Sequence, residues 1–416
     1  MLEHFYESPR HLRHLRREPL AVHMDLFAGR LYRLGFTQKT GQRIICLTGR
    51  FNDFARSICL KSAAEIDESL ITRFIQEELP RHGIFKEAPG IMRHLREHLW
   101  DAGVLPRPIC ALPDDPFDNI LHRYDHYLSN VRGLVPTSCF QYARYAHQFL
   151  SWLQSHRGNK PLERVNGIDV LEFISEFAQR HRSASWRNNL CSLTRVFLRY
   201  LRWEGTIASD LDRAIPKLPG WRFASIPRHL PWEQVHELIE GVDTSRPVGL
   251  RDKAVLLLIA TLGLRNQEVR CLQVGDIAWR SAEIRLRKTK TRRERVLPLP
   301  GTVGAAISDY LLHGRPRLSF PQVFLRHRAP LGPLTSTHGI GDIVDRHLAR
   351  TGIQSSCRGA HLLRHSLATR MVNQAVPIKE IADVLGHLSI DTTAVYTKVD
   401  ITNLRAVALP CPGGKP

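Results

Sequence analysis

The sequence predicts a mainly α-helical protein carrying one small antiparallel β-sheet. Apolar residues recur at helical spacing through most of the 416 residues. One stretch, "AEIRLRKTKTRRERVLPLP" (282–300), instead alternates apolar and polar at period two on either side of a basic turn, the pattern of a hairpin. Breaks rich in proline and glycine at "LPRPICALPDDP" (105–116) and "AIPKLPGWRFASIPRHLP" (214–231) divide the chain into pieces 1–108, 116–208 and 229–410.

The first piece opens with "MLEHFYESPRHLRHLRREPL", which lacks the apolar centre of a secretory signal and reads as a plain N-terminal helix. Its continuation resembles the second piece. "LYRLGFTQKTGQRIICLTGRFNDFA" answers "LSNVRGLVPTSCFQYARYAHQFLSWL", with Gly35 against Gly133, Phe51 against Phe149 and Phe54 against Trp152 at one offset. Further on, "LITRFIQE" answers "VLEFISEF" and "HLREHLWDAGV" answers "VFLRYLRWEGT". Each piece has the pattern of about four amphipathic helices, so the expectation is a duplicated helical domain. Tyr142, Arg144 and Tyr145 mix basic and aromatic character in the second copy, and Lys39 and Arg43 stand at similar places in the first. Such residues suit a surface that grips phosphates and equally suit an ordinary solvated helix face.

The third piece changes character. "GLRDKAVLLLIATLGLR" is a long buried helix entered through Arg251 and Asp252. The hairpin follows. From Gly359 onward, "AHLLRHSLATRMVNQ", "IKEIADVLGH" and the segment around Tyr396 all read as helices, and "ITNLRAVAL" is a short apolar helix in the tail.

Composition narrows the function. Lysine plus arginine number 59 against 40 acidic residues, a formal charge of +19. A chain this basic repels itself, and a polyanion partner is the usual reason to keep such a field. No run of 18 apolar residues exists, so no membrane partner is expected. The eight cysteines are scattered without a C-x-x-C pair, which argues against a disulfide framework or zinc ribbon and fits a reducing cytoplasm. His361 and His365 have the i, i+4 spacing of a zinc pair, but Leu362 stands where a metalloprotease helix needs glutamate, so no metal is expected.

Three motifs then converge in order and spacing. "LGLRNQE" spans Leu262 to Glu268, "HLLRH" spans His361 to His365, and "LGHLSIDTTAVY" spans Leu385 to Tyr396. Through them, residues from about 229 to 400 resemble the catalytic domain of the tyrosine recombinases, the lambda-integrase and Xer-like family. Leu262 departs from the family's usual threonine without touching a charged position. The second piece is similar, by pattern alone, to that family's core-binding domain. The resemblance therefore implies an integrase-type catalytic domain preceded by one or two helical SAM-like core-binding domains.

The resemblance also implies the chemistry. Tyr396 would attack a DNA phosphorus and store the bond energy as a 3′-phosphotyrosine ester. Arg265 and Arg364 would meet the charge growing on the equatorial oxygens, because a planar guanidinium donates two parallel hydrogen bonds to phosphate. His361 would accept the tyrosine proton and His387 would donate to a phosphate oxygen. Lys290 in the hairpin would protonate the leaving 5′-oxygen, with Lys288 two residues away as the alternative. Glu268 would orient Arg265. No cofactor is implied. The partners expected are double-stranded DNA and either a homo-tetramer or a hetero-assembly with sister recombinases, in the cytoplasm. Mobile-element integration or transposition is the biology favoured. Two other readings stay open: a type IB topoisomerase-like relaxing enzyme, and a recombinase-derived, non-catalytic DNA-binding regulator.

Overall fold

The structure, a computed structural model, describes residues 1–81, 88–106, 117–158, 161–180, 183–218, 227–287, 294–335, 339–387 and 389–399. Internal contacts divide the chain into two units, 1–107 together with 225–416, and 108–224.

Residues 1–107 are helical. A 3-10 turn at Leu2–His4 precedes α1 (Pro9–Leu15), α2 (Ala21–Arg33) and α3 (Gln38–Ser57). The Thr37 side chain caps α3 by accepting from Thr40 N. α4 (Glu68–Arg73), capped by Asp67, runs through a π-turn at Phe74–Glu78 into α5 (Leu79–Arg81), and α6 (Ala88–Asp101) closes the bundle. Phe5, Phe27, Phe51, Phe74, Met92 and Leu99 fill its interior.

The second unit is a bundle of α7 (Asp118–His126), α8 (Pro136–Arg157), α9 (Gly167–Arg180) and α10 (Ala184–Trp203). Its core holds Tyr124, Phe149, Phe173, Phe197 and Leu201.

Residues beyond 229 build a helical domain with a small sheet. α11 (Trp232–Glu240) and α12 (Pro247–Leu262) come first. α12 is buried over most of its length and packs against several of the other helices, so it lies at the centre. The helix begins at Pro247, a turn ahead of the expected entry at Arg251 and Asp252; both of these are buried, and Asp252 takes Arg251, Arg346 and His347 on its two oxygens. After α13 (Asn266–Cys271), strands β1 (Ile277–Ala278), β2 (Glu283–Leu286) and β3 (Arg295–Pro298) form one antiparallel sheet in that order. Ile284 pairs with Leu297 and Leu286 with Arg295. The hairpin expectation is met in register, with Ile284 and Leu286 inward and Glu283 and Arg285 outward. Its tip, residues 288–293, lies outside the described residues. α14 (Gly301–Asp309), the short hairpin β4 (Leu325–Arg326) and β5 (Gly332–Pro333), α15 (Gly339–Thr351), α16 (Ala360–Asn373) and α17 (Ile378–Leu385) complete the domain. The segment to Tyr396 is not an α-helix but two 3-10 turns, Ile390–Thr392 and Ala394–Val399. The expected tail helix falls outside the described residues.

The first bundle meets this domain at the β4–β5 loop. Leu331 N donates to Leu34 O at 2.9 Å, and Ala329 packs on the first bundle's core.

Candidate active site

The site is assembled from three chain reversals. α12 ends at Leu262 because Gly263 takes the left-handed conformation, φ +62°, which favours glycine. Space demands glycine there as well: a Cβ would lie 2.7 Å from the Leu385 side chain. That turn delivers Arg265 to the start of α13, where Glu268, one turn in, accepts from Arg265 N at 2.8 Å. The same carboxylate takes Arg265 Nη1 at 3.0 Å and Arg295 Nη2 at 3.0 Å.

α17 supplies the second reversal. It ends at Gly386, φ +63°, and the carbonyls of its last turn would otherwise be orphaned. Three arginines take them. Arg295 Nη1 donates to Val384 O at 2.7 Å, Arg364 Nη2 to Leu385 O at 2.6 Å, and Arg265 Nη2 to Gly386 O at 2.7 Å. The negative end of the helix backbone and the buried Glu268 carboxylate thus offset three cations gathered in one place. Arg364 also donates to Gly263 O, so both glycine turns serve the arginines. Each guanidinium has five N–H donors, and these bonds leave Arg265 and Arg364 donors for an anion.

The third reversal is the pair of 3-10 turns. His387, just past α17, is held by a 2.7 Å bond between Nδ1 and Thr393 Oγ1. Tyr396 is buried among Leu367, Ala368, Ile381 and Leu385, and its hydroxyl lies 2.6 Å from His365 Nδ1. His361 is exposed one turn earlier on α16, its ring 6.3 Å from that of His365. The structure therefore brings His365 to the phenol, rather than His361, to which the sequence comparison gave the proton. Lys288 and Lys290 lie outside the described residues.

Burial sets the protonation of the group. It pushes Arg364 down to about 10, helped by the charge of Arg265, so the guanidinium stays cationic at neutral pH. His365 is pushed down to about 4 by burial and then by His361 and Arg364. His387 is likewise held at about 4 by burial and the Arg364 and Arg265 charges. Both imidazoles are neutral at physiological pH, one able to accept a proton and the other to donate a neutral N–H. Burial raises Tyr396 to about 12, with Arg364 pulling the other way.

Arg295 is the residue the sequence did not single out as part of the site. Its signal was present: it stands at the inward phase of β3, in step with buried Leu297, where the alternation calls for an apolar side chain. Among the described residues no group of three or more His, Cys, Asp or Glu could hold a metal. No described helix is long and apolar enough to cross a membrane.

Paired guanidiniums, neutral imidazoles and a buried phenol lie together at helix ends of a mainly helical domain. Comparison with known proteins identifies the family. Residues 228–402 match the phage integrase family, and residues 121–205 match the phage integrase N-terminal SAM-like domain. A Sinorhizobium fredii (strain NBRC 101917 / NGR234) protein designated an integrase/recombinase, y4rF, is 36% identical over 100% of this chain and 96% of its own length. The tyrosine recombinase XerC of Herpetosiphon aurantiacus is 31% identical over 69% of this chain and 92% of its own. The same fold is found in XerH site-specific recombinase bound to a palindromic difH substrate (TM-score 0.56, 19% identity, 69% of this chain and 83% of that one). It is found again in the Tn1549 transposon integrase with transposon right end DNA (TM-score 0.54, 14% identity, 70% and 99%). The chain belongs to the tyrosine recombinase, or phage integrase, family, whose members are site-specific DNA recombinases.

Proposed function

We propose that this protein cuts and rejoins double-stranded DNA at a specific site through a 3′-phosphotyrosine intermediate and a Holliday junction, in the service of a mobile element. The observation that supports this most is the gathering of Arg265, Arg364 and His387 around one helix end, beside a buried tyrosine whose hydroxyl meets a neutral imidazole.

In this reading a scissile phosphate replaces water above the guanidinium edges. Arg265 and Arg364 bind its non-bridging oxygens, and His387 adds a neutral donor. Charge grows on those oxygens as the phenol attacks, and donors fixed beforehand need no reorganisation at that moment. His365 takes the Tyr396 proton, and exposed His361 on the same helix can pass it on. The 5′-hydroxyl leaves with a proton from Lys290, or from Lys288. Rejoining runs the same steps backwards, so neither water nor ATP is consumed. The working assembly is a tetramer on two duplexes, built from this chain or shared with sister recombinases. Such an enzyme acts where the DNA is, in the cytoplasm. The SAM-like second domain grips the core site.

The test is covalent capture. Nicked duplexes drawn from the DNA flanking the gene let the freed fragment diffuse away and trap the ester. An SDS-resistant protein–DNA band is expected in EDTA, and Tyr396→Phe should lose it. A band that survives Tyr396→Phe would remove the tyrosine from its role. Sequence-specific binding with no covalent band on any substrate would favour the non-catalytic regulator. Supercoil relaxation by isolated protomers would favour the topoisomerase.

A further inference from the structure

The proline-rich break at 214–231 does more than mark a boundary. Its last residues run along α16, the helix that carries His361, Arg364 and His365. Arg228 Nη1 donates to Ser356 O at 2.9 Å, just ahead of that helix. Leu230 N donates to the buried Ser366 Oγ at 2.8 Å, and Ser366 in turn donates to Leu362 O. The Arg370 guanidinium lies over the Trp232 ring at 3.8 Å. These contacts fix the register of the segment against α16. They bring His229, between Arg228 and Leu230, to the level of the His361–His365 stripe.

His229 is half-buried there, and its charge is felt at His365. Burial first, then His361, Arg364 and His229, hold that imidazole at about 4. The groups facing His365 are therefore His361 and Arg364 on its own helix, Tyr396 and His387 beyond α17, and His229 on the incoming segment.

The Tyr396 proton needs a way out of this place. His365 Nδ1, 2.6 Å from the phenol oxygen, is where it arrives, and the imidazolium so formed carries a second N–H at Nε2. Burial and the neighbouring charges disfavour that cation, so passing the Nε2 proton onward helps the attack. An acceptor ring must offer a bare nitrogen. His229 Nδ1 lies 3.1 Å from Pro227 O. A carbonyl only accepts, so Nδ1 carries the hydrogen and Nε2 of the neutral ring is the basic nitrogen.

We propose that His229 is a proton outlet for the nucleophile, taking at Nε2, directly or through one water, the proton that His365 gives up. The Tyr396 O–P bond forms as the bond to the 5′-oxygen breaks. That oxygen takes its proton from Lys290 or Lys288, and His229 ends as an imidazolium whose proton returns on rejoining. His229 acts through His365 and does not touch the phosphate, so it is a positioning residue for the proton. His361 offers a second way along the helix, so loss of His229 slows the reaction without abolishing it. The inference rests on the recombinase reading.

The experiment follows the single-turnover rate of covalent capture by the full chain on a nicked duplex from the flanking DNA, at fixed pH, with and without added imidazole. His229→Ala removes the ring and leaves room for a free one. Its capture should slow by up to about 10²-fold, the low end of what one positioned acid or base supplies. Imidazole should restore that rate in proportion to its concentration while leaving the wild type unchanged. His229→Gln keeps a polar side chain that cannot carry the proton, and it should be as slow as His229→Ala. Affinity for the duplex, read in Tyr396→Phe background, should not move with either substitution. A His229→Ala rate equal to wild type would overturn the outlet. So would a loss that imidazole does not restore, or one matched by an equal loss of affinity, since either would make His229 a packing residue alone. A wild-type band whose rate is indifferent to His229 fails this inference alone. Absence of a band from the wild type on every substrate fails the recombinase reading, and this inference with it.

Discussion

Glu268 shows how much one side chain can decide. It is almost wholly buried and touches two guanidiniums and a backbone N–H, one of them belonging to a catalytic candidate and the other to a residue of β3. Removing one partner of a buried ionic group leaves uncompensated charge behind, so Glu268→Ala should cost about 3–5 kcal/mol, read by urea unfolding. Arg295→Met should lower covalent capture while leaving DNA affinity near wild type, since Arg295 reaches Val384 O and Glu268 and acts by positioning. The histidines make the second prediction at this scale. His365 and His387 have folded pKa values near 4, below the ordinary 6.5, so between these values the unfolded chain binds more protons. Their contribution to stability is fully present above pH 6.5 and is lost as pH falls toward 4. A thermal melt followed across that window should decline with acid, and His387→Gln should flatten the decline. The motif residues were legible in the sequence because charged and nucleophilic types stand at fixed spacing. His365 as the partner of Tyr396 was not, because i, i+4 neighbours share a face and only the 3-10 turns decide which one the phenol reaches.

At the scale of elements, helix ends carry the function. α12 and α17 both stop at left-handed glycines, and the carbonyls so exposed hold the arginines in place. The two bundles offer a controlled comparison of the same device. Gly35 and Gly133 each follow a helix with the same sign of φ, yet a Cβ on Gly35 would lie 2.3 Å from Leu331 Cδ1 whereas one on Gly133 meets no described atom within 4 Å. Both alanine substitutions bear the left-handed strain, of about 1–2 kcal/mol. Gly35→Ala must also displace Leu331, so it should cost about 1–3 kcal/mol more. Differential scanning calorimetry of both variants checks this, and equal costs would mean that the Leu331 contact contributes nothing. Helix existence was readable from periodicity almost everywhere. The 3-10 geometry before Tyr396 was not, because the short run between Gly386 and Tyr396 has its shape set by the Thr393–His387 bond and by packing on α16.

For the molecule as a whole, +19 of formal charge dominates the encounter with a partner. If six or more phosphates are engaged, affinity for duplex DNA of arbitrary sequence should fall about 10³-fold or more between ~50 and ~200 mM salt. Fluorescence anisotropy of labelled duplexes measures it, and a flat dependence would mean that the charge is no DNA footprint. The sequence by itself determined the helical class, the hairpin and its phase, the strongly basic charge, and the family through "LGLRNQE", "HLLRH" and "LGH…Y". All of these are local or compositional: periodicity, spacing and net charge do not depend on which distant residues touch. Only the tertiary structure decided that Arg295 joins Arg265 on Glu268, that three arginines share the carbonyls ending α17, and that His365 meets Tyr396. Those pairings join residues 21 to 121 positions apart, and a buried charge can take whichever opposite partner the packing brings to it.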